Sequence, residues 1–307
     1  MKKNNMQKAS RLMLAVSFVS IFLLSACNPK EDTINIGAAT YTETKIMAAV
    51  YKELIEDRTD IQVDITPDLL STSLILKALD RGDLDMSLMY SGMIYNNFFP
   101  VKTTTDREEV LSQAKKGFNK YYDMKWFDPL GFENTYALTV REDLAKQRGL
   151  EKISDLKKSE ENMKFGVDSS WMERPTDGYP AFKKAYGVTF KRTYPMDVNL
   201  VYEAAASKKM DVVLAYSTDP RLLQYNLKTL KDDRKFFPPY DASILARNDT
   251  LKKHPELTEI LNTLTGKIDE KTMTSLNYQV DIEHRSERDV AREYLVQQGL
   301  LDDKEES

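Results

Sequence analysis

The chain of 307 residues has one cysteine, Cys27, and only two histidines, His254 and His284. A lone cysteine excludes a disulfide within the chain, and it leaves neither a Cys–His nucleophile pair nor a cysteine-rich metal site to build. His254 stands in KKHPEL, where a proline follows and a helix begins, and His284 in the polar stretch IEHRSE. Both read as solvated surface residues rather than as bases. No GxGxxG, Walker loop or nucleophile elbow is present. Acid pairs such as Asp83/Asp85 and Asp232/Asp233 occur, but with 30% charged residues such pairs are expected on solvated faces. No residue is therefore given a catalytic role, no cofactor or metal is expected, and an enzyme is not indicated.

Long apolar runs are limited to one. The opening MKKNNMQKASR carries Lys2, Lys3, Lys8 and Arg11 with no acid, and LMLAVSFVSIFLL, Leu12 to Leu24, follows. That run is too short to span a bilayer comfortably and has the form of a signal peptide. Leu24-Ser25-Ala26-Cys27 comes next and resembles a bacterial lipobox, which implies removal of residues 1–26 and diacylglycerol on the Cys27 sulfur. A signal anchor with an incidental cysteine is the alternative. Single acyl chains anchor weakly, so the lipoprotein reading presumes several. The remainder is expected to be a body lipid-anchored on the outer face of the cytoplasmic membrane. Removing the four basic residues leaves 40 of the 44 against 48 acids, a net charge of −8, which suits neither nucleic acid nor an anionic lipid surface. About 280 residues can bury a sizeable core, and two domains are the natural expectation.

The body alternates strand and helix. INIGAAT (Ile34 to Thr40) reads as a strand feeding a helix from Glu43, whose apolar positions Ile46, Met47, Val50, Leu54 and Ile55 recur at helical spacing. IQVDIT is a second strand, Ser71 to Leu79 a short helix and LDMSLMY a third strand. A charged helix covers Asp106 to Tyr122, and FENTYALTVR (Phe132 to Arg141) is a strand. The alternation then restarts: strands at MKFGVDSS, VTFKRTYPM and MDVVLAY, with helices over Gly178 to Tyr186 and Val198 to Lys208. Amphipathic helices close the chain at Leu257 to Leu264, Asp269 to Leu276 and Glu287 to Gln297. Two such series predict a doubly wound α/β chain in two lobes.

One comparison within the chain sharpens this. Leu84-Asp85-Met86-Ser87-Leu88-Met89-Tyr90-Ser91 aligned with Met210-Asp211-Val212-Val213-Leu214-Ala215-Tyr216-Ser217 matches Asp, Leu, Tyr and Ser at equal positions. Coincidence between two ordinary buried strands would give the Asp and Leu matches; the shared Tyr-Ser end is harder to obtain by chance. Ligands of open α/β sheets bind beyond the carboxyl ends of the strands, so Tyr90 and Tyr216 are placed at the functional rims of their lobes. Tyr136 in NTYAL and Tyr240 in FFPPYDA stand where the chain should cross between lobes. Each of the 16 tyrosines taken singly is more often a core or rim residue, but several rings facing one cleft would attract a quaternary ammonium group.

At these residues the chain resembles the substrate-binding lipoproteins of osmoprotectant ABC transporters. The resemblance is carried by NTYAL (134–138), DSSWMERPTDGYPAFKKAYG (168–187), AYSTDPRL (215–222), LKDDRKFFPPYDA (230–242) and HPEL (254–257). It implies a two-lobed, type II periplasmic-binding-protein-like fold, with 27–138 and 241–307 forming lobe I and 139–240 lobe II. It also implies a monomer that works with a membrane permease and an ATPase. The family's aromatic box for the trimethylammonium group of glycine betaine, carnitine or choline maps onto Tyr90, Tyr136, Tyr216 and Tyr240. Two positions depart from the family pattern: Met93 stands where relatives commonly have Thr or Asp, and Thr40 where several have Gln. Thr40, Ser91 and Asn134 are possible polar contacts, with turn and cap hydrogen bonding as their alternative role. Two other readings stay open: the same fold binding a different cationic metabolite, and a surface lipoprotein that takes no part in transport.

Overall fold

A computed structural model describes residues 33–302, except 159–161, 175–177 and 198 and the side chain of Ser170. Cys27, the basic and apolar run before it, and the expected start of a helix at Val198 lie outside the described residues.

The first sheet grows from the alternation of INIGAA. In β1 (Thr33–Ala39) Ile34, Ile36 and Ala38 point into the core, and the strand hands over to a helix, Thr42–Arg58. β2 (Gln62–Leu69) and β3 (Met86–Tyr90) pair in parallel on either side of β1. The helix between them, Thr72–Arg81, has the Ser71 hydroxyl accepting from the Leu74 N–H at its start, and ends at Gly82 with φ 78°. Only glycine takes that left-handed conformation without a Cβ penalty. β4 (Met124–Trp126) lies at the far edge, separated from β3 by a strand that arrives from much later in the chain.

The second sheet repeats the plan. β5 (Tyr136–Arg141), β6 (Lys164–Val167), β7 (Arg192–Pro195), β8 (Val212–Tyr216) and β9 (Leu227–Thr229) assemble in the order β7-β6-β8-β5-β9. With β10 (Ala242–Arg247), the first sheet has the order β2-β1-β3-β10-β4. In both sheets one strand is antiparallel to its neighbour: β10 to β3, and β5 to β8. Each of these strands comes directly after the chain has passed over from the other sheet. The passages, 127–135 and 230–241, run side by side, with an antiparallel bridge between Glu133 and Asp241 and the Asn134 N–H donating to the Tyr240 carbonyl at 3.2 Å. β5 pairs wholly within the second sheet, Tyr136 to Leu138 included, so an expected lobe boundary after Leu138 falls inside a strand.

The repeated octapeptide now has a physical meaning. Asp85 accepts from the N–H of Asn35 at 2.8 Å, and Asp211 accepts from the N–H of Lys164 at 2.9 Å. Each aspartate thus accepts from an N–H near the start of the parallel strand beside its own, the third residue of β1 and the first of β6. At the other end, Ser91 and Ser217 tie β3 and β8 to the two passages. Ser91 Oγ accepts from the Asp241 N–H at 2.9 Å, and Ser217 Oγ accepts from the Thr135 N–H at 3.0 Å.

Each sheet has its own core. The helix Thr42–Arg58 lies between the first sheet and the C-terminal helices Leu257–Asn262, Glu270–Asp281 and Glu287–Gln297, burying Ile46, Tyr51, Leu54 and Ile55 completely. Glu53 on that helix accepts from Arg288 Nε at 2.9 Å and Arg292 Nη1 at 3.1 Å, which fixes the last helix. The second core is aromatic: Trp171, Phe165 and Phe182 are fully buried, and the Phe165 and Phe190 rings stack at 4.6 Å. Each such side chain contributes roughly 1.5–3 kcal/mol through removal from water.

The doubly wound expectation thus needs one correction. β5 and β10 are antiparallel insertions, and the short apolar run ASILA of β10 has no alternation that separates a strand from a buried helix segment, so its pairing with β3 decides. The expected strand from Phe132 begins only at Tyr136, since 132–135 belong to a passage whose groups bond across to the other passage.

Candidate functional site

The carboxyl ends of β3 and β8 face a cleft of about 640 Å³. Tyr90, the last residue of β3, and Tyr216, the last of β8, both line it. Tyr136 opens β5 and is the direct cross-strand partner of Tyr216; their rings stack with centroids 5.2 Å apart and planes 22° from parallel. That is the offset geometry in which aromatic pairs attract. Tyr240 arrives from the second passage, so the four expected rings come from both sheets and their connection and converge on one space.

Each ring is held from behind. The Tyr216 N–H donates to the Tyr202 hydroxyl at 3.0 Å, and Phe237 packs against Tyr136 at 6.2 Å. The Tyr240 ring lies so close over Gly92 that a Cβ there would collide with it, which gives the glycine of Tyr-Ser-Gly its reason. Burial, with the neighbouring Tyr136 next in weight, pushes the Tyr216 phenol well above its ordinary value of 10.0. The Tyr90 phenol is pushed up by burial first and by Glu43 second. Both rings are therefore neutral at physiological pH and offer π faces rather than phenolates.

Tyr90 is 5% exposed, and its hydroxyl donates to the Glu43 carboxylate. Glu43, in the first turn of Thr42–Arg58 and 2% exposed, also accepts from Asn134 Nδ2 at 2.7 Å, Thr218 Oγ1 at 2.7 Å and Asn277 Nδ2 at 3.5 Å. Asn277 Nδ2 donates as well to the Thr218 carbonyl at 3.0 Å. Arg174 also lines the cleft, its guanidinium carbon 5.2 Å from the Tyr136 ring centroid. Arg221 is paired with Asp219 at 2.6 Å.

Of the expected polar contacts, Thr40 and Asn134 line the cleft, as does Met93, the position that departs from the family pattern. Ser91 does not: its hydroxyl is fully buried and bonded to Pro239 and Asp241, the turn-and-cap role that was its alternative. Met93 also borders a side pocket of about 240 Å³ that shares Tyr41 and Tyr90 with the cleft, and its sulfur accepts from Thr72 Oγ1 at 3.5 Å. The sequence reading did not single out Tyr41, Glu43, Arg174 or Thr218. Tyr41 and Glu43 follow directly on Thr40, and Arg174 and Thr218 sit in segments that carry the family resemblance, so proximity in sequence was the available signal. Among the described residues no His/Cys/Asp/Glu group suited to a metal occurs, and no helix is long and apolar enough to cross a membrane.

Comparison with known proteins identifies the family. The family model for the substrate binding domain of the ABC-type glycine betaine transport system matches residues 32–297. A carnitine transport binding protein of Listeria monocytogenes is 44% identical over 310 residues, covering 99% of this chain and all of that protein. An ergothioneine transport permease/ergothioneine binding protein of Helicobacter pylori is 36% identical over 223 residues, 73% of this chain and 40% of that protein. A crystal structure of a glycine betaine/carnitine/choline ABC transporter protein superposes with a TM-score of 0.84 at 40% identity, over 88% of this chain and all of that one. These relatives serve transport and not catalysis, and the two-sheet architecture is the two-lobed periplasmic-binding-protein fold. The chain belongs to the family of substrate-binding domains of ABC-type glycine betaine transport systems.

Proposed function

We propose that the chain captures a quaternary ammonium osmoprotectant, of the carnitine, glycine betaine and choline class, in this cleft and presents it to a membrane permease driven by an ATPase. The observation that carries the reading is the convergence of Tyr90, Tyr136, Tyr216 and Tyr240 on one space. A trimethylammonium group cannot donate a conventional hydrogen bond and loses little on dehydration, so ring faces are its natural partners, each contributing roughly 0.5–2 kcal/mol when desolvated. Four rings at the upper end of that range sum to about 8 kcal/mol, the scale of micromolar affinity, which a single ring cannot approach. Arg174 beside Tyr136 gives a zwitterion's carboxylate a partner while its ammonium end sits among the rings.

In this reading the expected division into 27–138 with 241–307 and 139–240 shifts by three residues, so that lobe I comprises 27–135 and 241–307 and lobe II, with the whole of β5, 136–240, and the protein works as a monomer whose closed shape the permease selects. Residues 1–26 are removed and Cys27 carries the lipid that holds the body at the outer face of the cytoplasmic membrane. Mass spectrometry of detergent-extracted protein checks this: a diacylglyceryl mass on Cys27 is expected, and an uncleaved N-terminus refutes it. Calorimetry of the mature protein against carnitine, glycine betaine and choline tests the ligand class, and no heat with any of them would refute it. Ergothioneine belongs in the same series. It too carries a trimethylammonium group, and the Helicobacter relative named for it supports this second reading.

A further inference from the structure

The strongest unassigned feature is the buried Glu43. Nothing in the aromatic cage requires a carboxylate, and burying one costs free energy unless it is fully bonded. Here both oxygens are served. Oε1 accepts from the Tyr90 hydroxyl and Asn134 Nδ2, and Oε2 accepts from Thr218 Oγ1 and Asn277 Nδ2. Two asparagine N–H groups, one on each oxygen, form the partner set of an ionised carboxylate, which accepts only. The first turn of a 17-residue helix adds the positive end of its dipole. Among the described residues no Lys or Arg bonds to Glu43, so there its charge is screened by dipoles and not cancelled by a bonded cation.

We propose that Glu43 is the cage's counter-charge: a fixed anion one hydrogen bond behind Tyr90 that makes the cleft select a cation over a neutral molecule of the same shape. This rests on the quaternary ammonium reading above. Two effects act together. The carboxylate's field reaches a cation lodged against Tyr90 through a largely desolvated wall, where charges interact more strongly than in water. The phenol that donates to it also becomes more electron-rich, which strengthens the attraction of that ring face for a cation. Glu43 therefore acts as a specificity determinant through Tyr90, without needing to touch the ligand.

Because Thr218 follows β8 while Glu43 belongs to the first lobe, any substitution also loosens contacts between lobes. The test must separate charge from shape. Glycine betaine and 3,3-dimethylbutanoate share one outline, as do choline and 3,3-dimethyl-1-butanol, and the members of each pair differ by replacement of N⁺ with carbon. Calorimetry of wild type and Glu43→Gln against both pairs gives the cation-to-isostere affinity ratio. The ratio is expected to fall roughly tenfold or more in Glu43→Gln, whereas a purely structural role would weaken both members equally and leave the ratio unchanged. The double variant Glu43→Gln/Asn134→Asp returns a carboxylate to the same hydrogen-bonded pair and is expected to recover part of the preference. If Glu43→Gln does not fold, that double variant alone decides, and lack of a cation preference in it overturns the proposal. Failure of the wild type to bind any quaternary ammonium compound would end the functional reading itself, whereas an unchanged ratio in a wild type that binds ends only the role of Glu43.

Discussion

Tyr216→Ala is the most direct perturbation of the cleft. The lost ring is half-buried, at the end of β8, and stacked 5.2 Å from Tyr136. Removing it deletes one desolvated cation–π contact, up to about 2 kcal/mol. It also strips Tyr136 of an aromatic neighbour whose stacking contributes about 0.5–1.5 kcal/mol. Part of that second term is lost from the free protein as well, so the net loss of binding free energy is about 1.5–3 kcal/mol, or roughly 10- to 150-fold in Kd. Tyr216→Phe keeps the ring and its stack and loses a hydroxyl, so its Kd should stay within about threefold of wild type; Tyr216→Trp should behave similarly. The assay is calorimetric titration of the preferred osmolyte at fixed salt, with thermal melts confirming that each variant is folded. In a double-mutant cycle with Tyr136→Ala the double variant should lose less than the sum of the two single losses, because each single variant already breaks the stack. Equal damage from Ala and Phe would show that the hydroxyl, not the π face, holds the ligand, and the cage argument would fail.

Four further outcomes are expected. Gly92→Ala places a Cβ against the Tyr240 ring; affinity should drop at least about fivefold through displacement of that wall, and an unaltered Kd would show that Tyr240 is not part of the cage. Arg174→Gln should weaken glycine betaine and carnitine roughly tenfold while changing choline, which has no carboxylate, by less than about threefold; equal losses would remove Arg174 from carboxylate recognition. Ser217→Ala deletes an acceptor for the Thr135 N–H and a donor to the Glu133 carbonyl, so unfolding in urea should show a loss of about 1–2 kcal/mol, and no loss would mean that the passage strands are held by other groups. The phenols of Tyr51, Tyr90, Tyr186, Tyr202 and Tyr216 all lie above their ordinary 10.0, each chiefly through burial. Their ionisation is easier in the unfolded chain, so stability should hold up to about pH 10 and fall as pH rises further toward the folded values; a urea midpoint unchanged between pH 9 and 11 would contradict this.

The parallel half of each sheet was legible in the sequence because it is written locally. Ile34 and Ile36 alternate, Ile46 to Ile55 recur at helical spacing, and LDMSLMY and MDVVLAY are short apolar runs bounded by polar residues. β10 was not legible because its five buried residues, ASILA, are a short apolar run that a buried helix would also show, and what makes it a strand is its antiparallel partner Met86–Tyr90, far away in sequence. The tyrosines could be found because a ring at a strand's carboxyl end has a position with a meaning. Glu43 could not: a glutamate at the start of a helix is ordinary, and only the fold brings Asn134, Thr218 and Asn277 around it. Ser91 misled for the converse reason. It adjoins Tyr90 in sequence, but successive side chains at a strand end point to opposite sides, and its hydroxyl faces the passage strand.

The repeated octapeptide explains how Tyr90 and Tyr216 come to line one cleft. In both lobes an aspartate fixes the start of the central strand against its parallel neighbour, and a serine fixes its end against a passage. The tyrosine before each serine then sits at the strand's carboxyl end, where its ring lines the cleft. Because the two serines bind opposite passages, and those passages bridge at Glu133 and Asp241, Tyr90 and Tyr216 are positioned by one continuous pair of strands. A ligand touching both rings therefore reports on the relative placement of the lobes. One touching a single ring does not, so binding energy can be converted into a shape that a permease distinguishes only when rings from both sheets are engaged.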